Sequence, residues 1–305
     1  MSALTREIVR TKAPIPTWFG VGGRADHYAE PETVEALGAL VEEFRGDVRV
    51  LGEGANLLVE DAGVGGLVVS LKALRAVRRI TGSGSGSGAD SGAMIVRAGA
   101  GASLPRLIVD TVREGLGGLE GLGGIPAAVG GAVRMNAGGV FGEIADAVVA
   151  VRGLTRAGRM FERSREETPF AYRGSGLSDS FITEVDFSLT PGDAVALRDR
   201  LKHVMAAKKT SQPMAERSAG CVFKNPLVDG ARVSAGRLID SAGAKGMRVG
   251  AASVSAVHAN FIVVEPGGCA QDVLTLIDEV RALVRDGHGV TLEPEVVVWR
   301  RDEEG

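Results

Sequence analysis

Aromatic side chains are scarce, at 4% of 305 residues. Ligand contact is therefore expected through backbone rather than through stacking on rings. Basic charge is not in excess: 35 Lys and Arg stand against 38 Asp and Glu, for a formal net charge of −3. The electrostatic field that phosphate-backbone binding needs is missing, which excludes nucleic acid as a partner. Cysteine is rare, with only Cys221 and Cys269, too few for a disulfide scaffold. Four histidines (His27, His203, His258, His288) occur without H-E-x-x-H or C-x-x-C, so no metal site is expected. No uncharged apolar run reaches about 18 residues, so no membrane span is expected. The charged start, MSALTREIVRTK, has no apolar segment behind it. Cytoplasmic localisation with reduced thiols is the expectation. The sequence has no Gly-Lys dipeptide, hence no P-loop, and no strand–GxGxxG–helix outside a Ser/Gly insert, hence no Rossmann site.

What is plentiful is glycine, 44 of 305 residues, where about 7% is usual. The 45% apolar and 24% charged content is that of a soluble globular protein. At roughly 100–200 residues per domain, the length implies two or three domains. Helical spacing predicts a helix over 31–44, then a strand at 47–51, a glycine loop at 52–56 and a strand at 66–71. The insert TGSGSGSGADSG, residues 81–92, has no apolar anchors and is expected to be a flexible hairpin tip. A strand at 94–98 and a helix over 104–114, capped by Ser103, follow. Strands are expected at 145–154, 159–162 and 181–189, and a helix at 193–209. Further on come a short helix at 237–242, a strand at 260–264, an amphipathic helix at 269–285 and a last strand at 290–299.

Two loops are candidates for ligand contact. Residues 51–58, LGEGANLL, follow a strand and offer consecutive N–H groups and small side chains to an anion; a plain turn is the alternative. Residues 123–139, GGIPAAVGGAVRMNAGG, hold more glycine than a packed connection needs, and close backbone contact with a ligand is expected.

GGIPAAVGGAVRMNAGG, FAYRGS (170–175), SAGCVFKNP (218–226), GRLID (236–240), HANFIV (258–263) and LEPEV (292–296) occur in order. Together they resemble the UDP-N-acetylenolpyruvoylglucosamine reductase (MurB) family, in its short form without an extra substrate-gating loop. The resemblance covers residues 15 to 299. It implies an α+β chain with a vanillyl-alcohol-oxidase (PCMH-type) FAD-binding fold of two subdomains, residues 15–73 and 74–209. A C-terminal α/β substrate-binding domain would follow at 210–305, its last strand returning to the first subdomain. It also implies noncovalent FAD, with Gly52, Glu53, Gly54, Ala55, Asn56, Leu57, Gly124, Ile125, Pro126, Gly130, Gly131 and Asn136 around it. NADPH would be the hydride donor and UDP-N-acetylglucosamine enolpyruvate the substrate, and a monomer is expected.

By the same resemblance, hydride reaches the enolpyruvyl β-carbon from flavin N5. Arg173 clamps the carboxylate on which charge develops. Cys221 stands where the family has a serine and gives the proton; with a free-thiol pKa near ~8.5, activity should fall as pH rises through that value. Glu295 orients the donor or assists at the enolate. Glu293 and Glu295 alternate at i, i+2, so a strand over 290–299 puts both on one face. Tyr172, Lys209, Asn225 and His258 are expected at the substrate, Lys209 replacing a basic residue that the family carries where Ser211 stands. Ala55 removes a hydroxyl donor from the pyrophosphate loop, and WFGVG (18–22) also departs from the family pattern. Two other readings stay open: a flavin oxidase on the same fold, and a nonenzymatic flavin- or nucleotide-sugar-binding protein.

Overall fold

The computed structural model describes residues 8–80, 92–213 and 215–301. In the N-terminal unit four strands lie in the order Val9–Pro14, Arg24–Ala29, Val64–Ser70, Val48–Leu51. The first pair is antiparallel and the other two are parallel. The parallel strands read as apolar runs because both of their faces are covered. Val9–Pro14 and Arg24–Ala29 escape the sequence pattern. Val9–Pro14 is the edge strand and buries only Ala13, while the inner strand Arg24–Ala29 buries Ala25, Tyr28 and Ala29 among its polar residues. Helix Val34–Glu43 starts where the Thr33 hydroxyl accepts a hydrogen bond from Ala36 N, and it buries Leu37, Leu40 and Val41.

The second unit is an antiparallel sheet in the order Met160–Ser164, Val148–Thr155, Ser180–Pro191, Met94–Gly99, Val77–Ile80, with Leu116–Gly117 on the far end of Ser180–Pro191. Helix Leu104–Arg113 is capped by Ser103, and helix Ala194–Ser211 by Asp193. The two units share one core, in which Leu37, Val41 and Leu67 meet Leu104, Ile108, Val151 and Phe187. Val77–Ile80 pairs with Met94–Gly99 across the Ser/Gly insert. The insert itself, up to Ser91, lies outside the described residues.

The C-terminal unit has a core of its own around Phe223, Ile239, Val273, Leu276 and Val280. Its sheet is antiparallel, Arg248–Val249, Ala252–Val254 and Ile262–Val264. Two helices cover it, Ala235–Ser241 and Ala270–His288, and the second stops at Gly289 in the left-handed region. Asp61 from the N-terminal unit accepts hydrogen bonds from Ala270 N and Gln271 N at the start of that helix.

The expected strand over 290–299 is shorter than predicted: only Val297–Trp299 is a strand, parallel to Leu57–Val59. Pro294 supplies no N–H, and the stretch before Val297 crosses the Phe223 segment as an isolated bridge.

Candidate active site

A cleft open to solvent, with about 60 Å³ of enclosed space, lies between the first two units. Gly52 and Glu53 line it on one side, Gly101, Gly130, Gly131 and Arg134 on the other. A Cβ on Gly52 or Gly131 would meet no atom within 4 Å, so both glycines present bare backbone to open space. Gly54 is different: its φ is +67°, and a Cβ would lie 2.3 Å from the Pro16 carbonyl oxygen. This loop is held in shape by the fold and left open toward the cavity. Much of the second glycine stretch has an internal cause instead. Cβ atoms at Gly123 and Gly138 would strike the Leu201 side chain and the Gly142 carbonyl. The glycine excess at 123–139 is thus partly chain packing on chain.

Two asparagines tie these loops to the reactive end. Asn56 Nδ2 donates to the Glu295 carbonyl at 3.0 Å. Asn136, 2% exposed, donates from Nδ2 to Glu143 Oε2 and to the Ala171 carbonyl, and accepts from Ala145 N. Its side chain is thereby committed to the protein, leaving backbone for a cofactor. Leu57 is buried beneath its loop in a small core with Leu51 and Val68. Ala55, Ile125 and Pro126 are partly exposed.

Arg173, Cys221 and Glu295 come together from three distant parts of the chain. Arg173 sits in a tight turn closed by Ala171 and Gly174, with φ +58°, a costly setting for a non-glycine residue. Its Nε lies 2.6 Å from Glu295 Oε1, a close ionic contact in which the N–H is not aimed at the oxygen. Its other arm donates to the Gly138 carbonyl at 3.1 Å. Glu295 is fixed by its own backbone, whose N–H donates to the Val222 carbonyl at 2.7 Å. Burial pushes the Glu295 carboxyl up, and the Arg173 guanidinium works against that.

Cys221 lies beside both. Burial pushes its thiol up to about 12, helped by the Glu295 charge and opposed by Arg173 and a hydrogen bond with Asn260. The expected loss of activity through a free-thiol value therefore gives way: this thiol keeps its proton across the neutral and moderately alkaline range. Asn260, 3% exposed, is the residue sequence reasoning missed. Its Oδ1 accepts from Phe223 N, its Nδ2 donates to the Phe223 carbonyl, and its own carbonyl accepts from Val222 N. The signal was its place inside HANFIV, where a buried amide amid apolar residues must find backbone partners.

The expectation that Glu293 and Glu295 share a strand face fails. Without a regular strand, Glu293 turns outward, 70% exposed, to Lys224, whereas the Glu295 side chain is 13% exposed.

Among the expected substrate residues, Tyr172 and Asn225 meet. The Tyr172 hydroxyl accepts from Asn225 N at 3.2 Å, and Asn225 Oδ1 accepts from Ala235 N. His258 accepts from Asn260 N at Nδ1 and stacks edge-on against Phe261. Burial lowers its pKa. Lys209 is exposed on helix Ala194–Ser211. The neighbouring Lys208 instead turns to the glycine loop, donating to the Gly123 carbonyl at 2.6 Å, and burial pushes it down to about 8. Ser211 Oγ donates back to the Ala207 carbonyl in its own helix. Among the described residues no cluster suits a metal ion, and no helix is long and apolar enough to cross a membrane.

Residues 212–299 match the model of the UDP-N-acetylenolpyruvoylglucosamine reductase C-terminal domain, and residues 25–164 match that of an FAD binding domain. UDP-N-acetylenolpyruvoylglucosamine reductase 2 of Symbiobacterium thermophilum is 40% identical over 284 residues, covering 92% of this chain and 87% of that protein. The Desulfosudis oleivorans reductase is 38% identical, covering 98% of this chain and 96% of its own. The crystal structure of the reductase (MurB) from Thermus caldophilus superposes with a TM-score of 0.78 at 41% identity, covering 93% and 96% of the two chains. The chain belongs to the UDP-N-acetylenolpyruvoylglucosamine reductase family. Its fold is the FAD-binding fold of the vanillyl-alcohol-oxidase (PCMH) type, extended by the reductase C-terminal domain. The open backbone of Gly52 and Gly131, facing a cleft between the two units, fits the FAD that such reductases use.

Proposed function

We propose that this chain reduces the enolpyruvyl group of UDP-N-acetylglucosamine enolpyruvate to UDP-N-acetylmuramate, a step of peptidoglycan synthesis, with FAD and NADPH. The observation that carries the reading is the Arg173–Glu295–Cys221 cluster, hydrogen-bonded through Asn56 to the glycine-lined cavity. FAD, when bound, supplies the hydride drawn from NADPH. The protein supplies the rest. Gly52, Gly54 and Asn56 on one side, and Gly124, Gly130 and Gly131 on the other, offer backbone to the cofactor. Arg173 opposes the charge that grows on the substrate carboxylate, the contribution that is often the largest in such reactions. Glu295 holds the guanidinium in place and is itself held by Val222 and Asn56. Cys221 carries a proton at its thiol and gives it to the α-carbon. Tyr172 and Asn225, hydrogen-bonded to each other beside Arg173, bind the substrate.

The ligands are charged nucleotides, which goes with work in the cytoplasm.

The test is anaerobic. The purified protein should be yellow and should bleach with NADPH, and the colour should return when the enolpyruvyl sugar nucleotide is added. Arg173→Ala should bleach at a near-native rate and recolour far more slowly, because only the second half-reaction builds charge on the substrate. A folded protein that carries no flavin, or recolouring that Arg173→Ala leaves untouched, would sink this reading.

A further inference from the structure

The basic residues around the candidate site are mostly spoken for. Arg173 faces Glu295, Lys224 faces Glu293, and Lys208 is turned onto the Gly123 carbonyl. Arg232 has one backbone acceptor and an aromatic ring beneath it. It stands on a small hairpin, Leu227–Val228 with Ala231–Arg232, that projects from the C-terminal unit directly after Asn225. Its guanidinium carbon lies 3.7 Å from the centre of the Tyr172 ring, and one arm donates to the Asn225 carbonyl at 2.8 Å. Among the described residues no carboxylate lies within ion-pair distance of it. Tyr172 belongs to the other side of the seam, and the Arg173 guanidinium carbon lies 5.1 Å from the same ring. Arg232 is thus one aromatic ring away from the reactive cluster.

Stacking and the single backbone bond orient the guanidinium while leaving further N–H donors open to solvent. Two cations share one ring, and only Arg173 has a carboxylate to offset it. A planar, oriented and uncompensated guanidinium is the arrangement that recognises a phosphate group through paired N–H donors. An arginine serving stability alone at a surface would gain from a nearby acid, and this one has none.

We infer that Arg232, seated on Tyr172 and Asn225, is a binding residue for a nucleotide phosphate group entering at the domain seam. This assignment rests on the proposed function for its ligands. The phosphate chemistry is common to the diphosphate of the sugar nucleotide and to the phosphates of NADPH.

The test uses the full-length, FAD-loaded protein and calorimetric titration with UDP, uridine and 2′,5′-ADP. Arg232→Gln should weaken UDP about tenfold, as loss of a charge-assisted pair of hydrogen bonds would, and should leave uridine unchanged. Weakening of 2′,5′-ADP alone supports the assignment with NADPH as the source. Arg232→Lys should recover part of the affinity, since it keeps the charge but not the planar fork. Flavin content and melting temperature of each variant show that the fold is intact. Equal affinity for all three probes in wild type and Arg232→Gln overturns the inference, as does equal weakening of uridine, or no binding of either phosphorylated probe by wild type. Failure of the reductase reading would register separately, as absence of NADPH bleaching or of recolouring in the wild-type protein.

Discussion

At the scale of a residue, Cys221 and its surroundings make the sharpest statement. A thiol pushed up to about 12 by burial stays protonated where an ordinary cysteine begins to ionise. Cys221→Ala should slow substrate-driven recolouring about 10²–10⁴-fold, the range for a positioned general acid, and leave NADPH bleaching close to normal. Cys221→Ser should keep substantial activity. The pH dependence has a definite sign: a donor must hold its proton, so its rate would fall only as pH rises toward the raised value. Recolouring should therefore show no alkaline limb near pH 8.5 that is present in wild type and missing in Cys221→Ser. Stopped-flow absorbance between pH 6 and 10 would reveal such a limb, and finding one would mean that the thiol is far more acidic than its burial dictates.

At the scale of elements, the glycine loops separate two kinds of requirement. Gly54 is needed by the fold, because its φ is +67° and the Pro16 carbonyl fills the space a Cβ would take. Gly54→Ala should cost more than about 1 kcal/mol of stability in urea denaturation, from the left-handed backbone alone. Gly131 has free space in front of it, so Gly131→Ala should leave the urea midpoint of the flavin-free protein nearly unchanged. Its methyl group would stand in the cavity, and released flavin per mole of purified protein should drop. A Gly131→Ala protein with full flavin would mean that the cofactor lies elsewhere.

The antiparallel sheet has a comparable anchor. Asp186 takes both Arg97, at 2.6 and 2.8 Å, and Arg152, at 2.9 Å. Burial pushes its carboxyl up, but the two guanidiniums overcome that and hold it below the usual range. Its stabilising effect is complete above the ordinary aspartate value near ~3.9 and is lost as pH falls from there through the lowered one. Asp186→Asn should cost on the order of 2–3 kcal/mol at pH 7. That is less than the ~3–5 for a fully buried pair, because the arginine side chains stay 21% and 20% exposed. The variant should also lose part of the wild-type destabilisation between pH 4 and 2, as thermal melts would show.

At the scale of the whole molecule, what could be read from the chain depended on how local each cause is. The helices over 34–43, 104–113 and 194–211 carry their own caps and apolar faces, so their residues announce them. Cys221, Arg173 and Glu295 were legible through their strings, since short motifs travel with their chemistry. Asn260 and Arg232 were not, because their roles depend on partners far away in sequence, Phe223 at 37 residues from Asn260 and, for Arg232, the Tyr172 ring of the preceding unit. The last strand was misjudged for a related reason. Its length is set by Pro294 and by a partner near residue 57, not by its own β-rich composition.

That pairing, with Asn56 reaching across 239 residues to Glu295, also orders events during synthesis. N-terminal units emerge from the ribosome and fold first. Here the shared core of the first two units is complete long before residue 295 is translated. Leu57–Val59 must wait as an open edge until Val297–Trp299 leaves the exit tunnel. A product cut short by premature termination between the end of helix Ala194–Ser211 and Pro294 would hold the cavity lining with neither the strand Val297–Trp299 nor the carboxylate that faces Arg173. The finished site thus exists only once residues 295–299 have been made and have folded back, and a shorter nascent polypeptide has no means of turning over its substrate early.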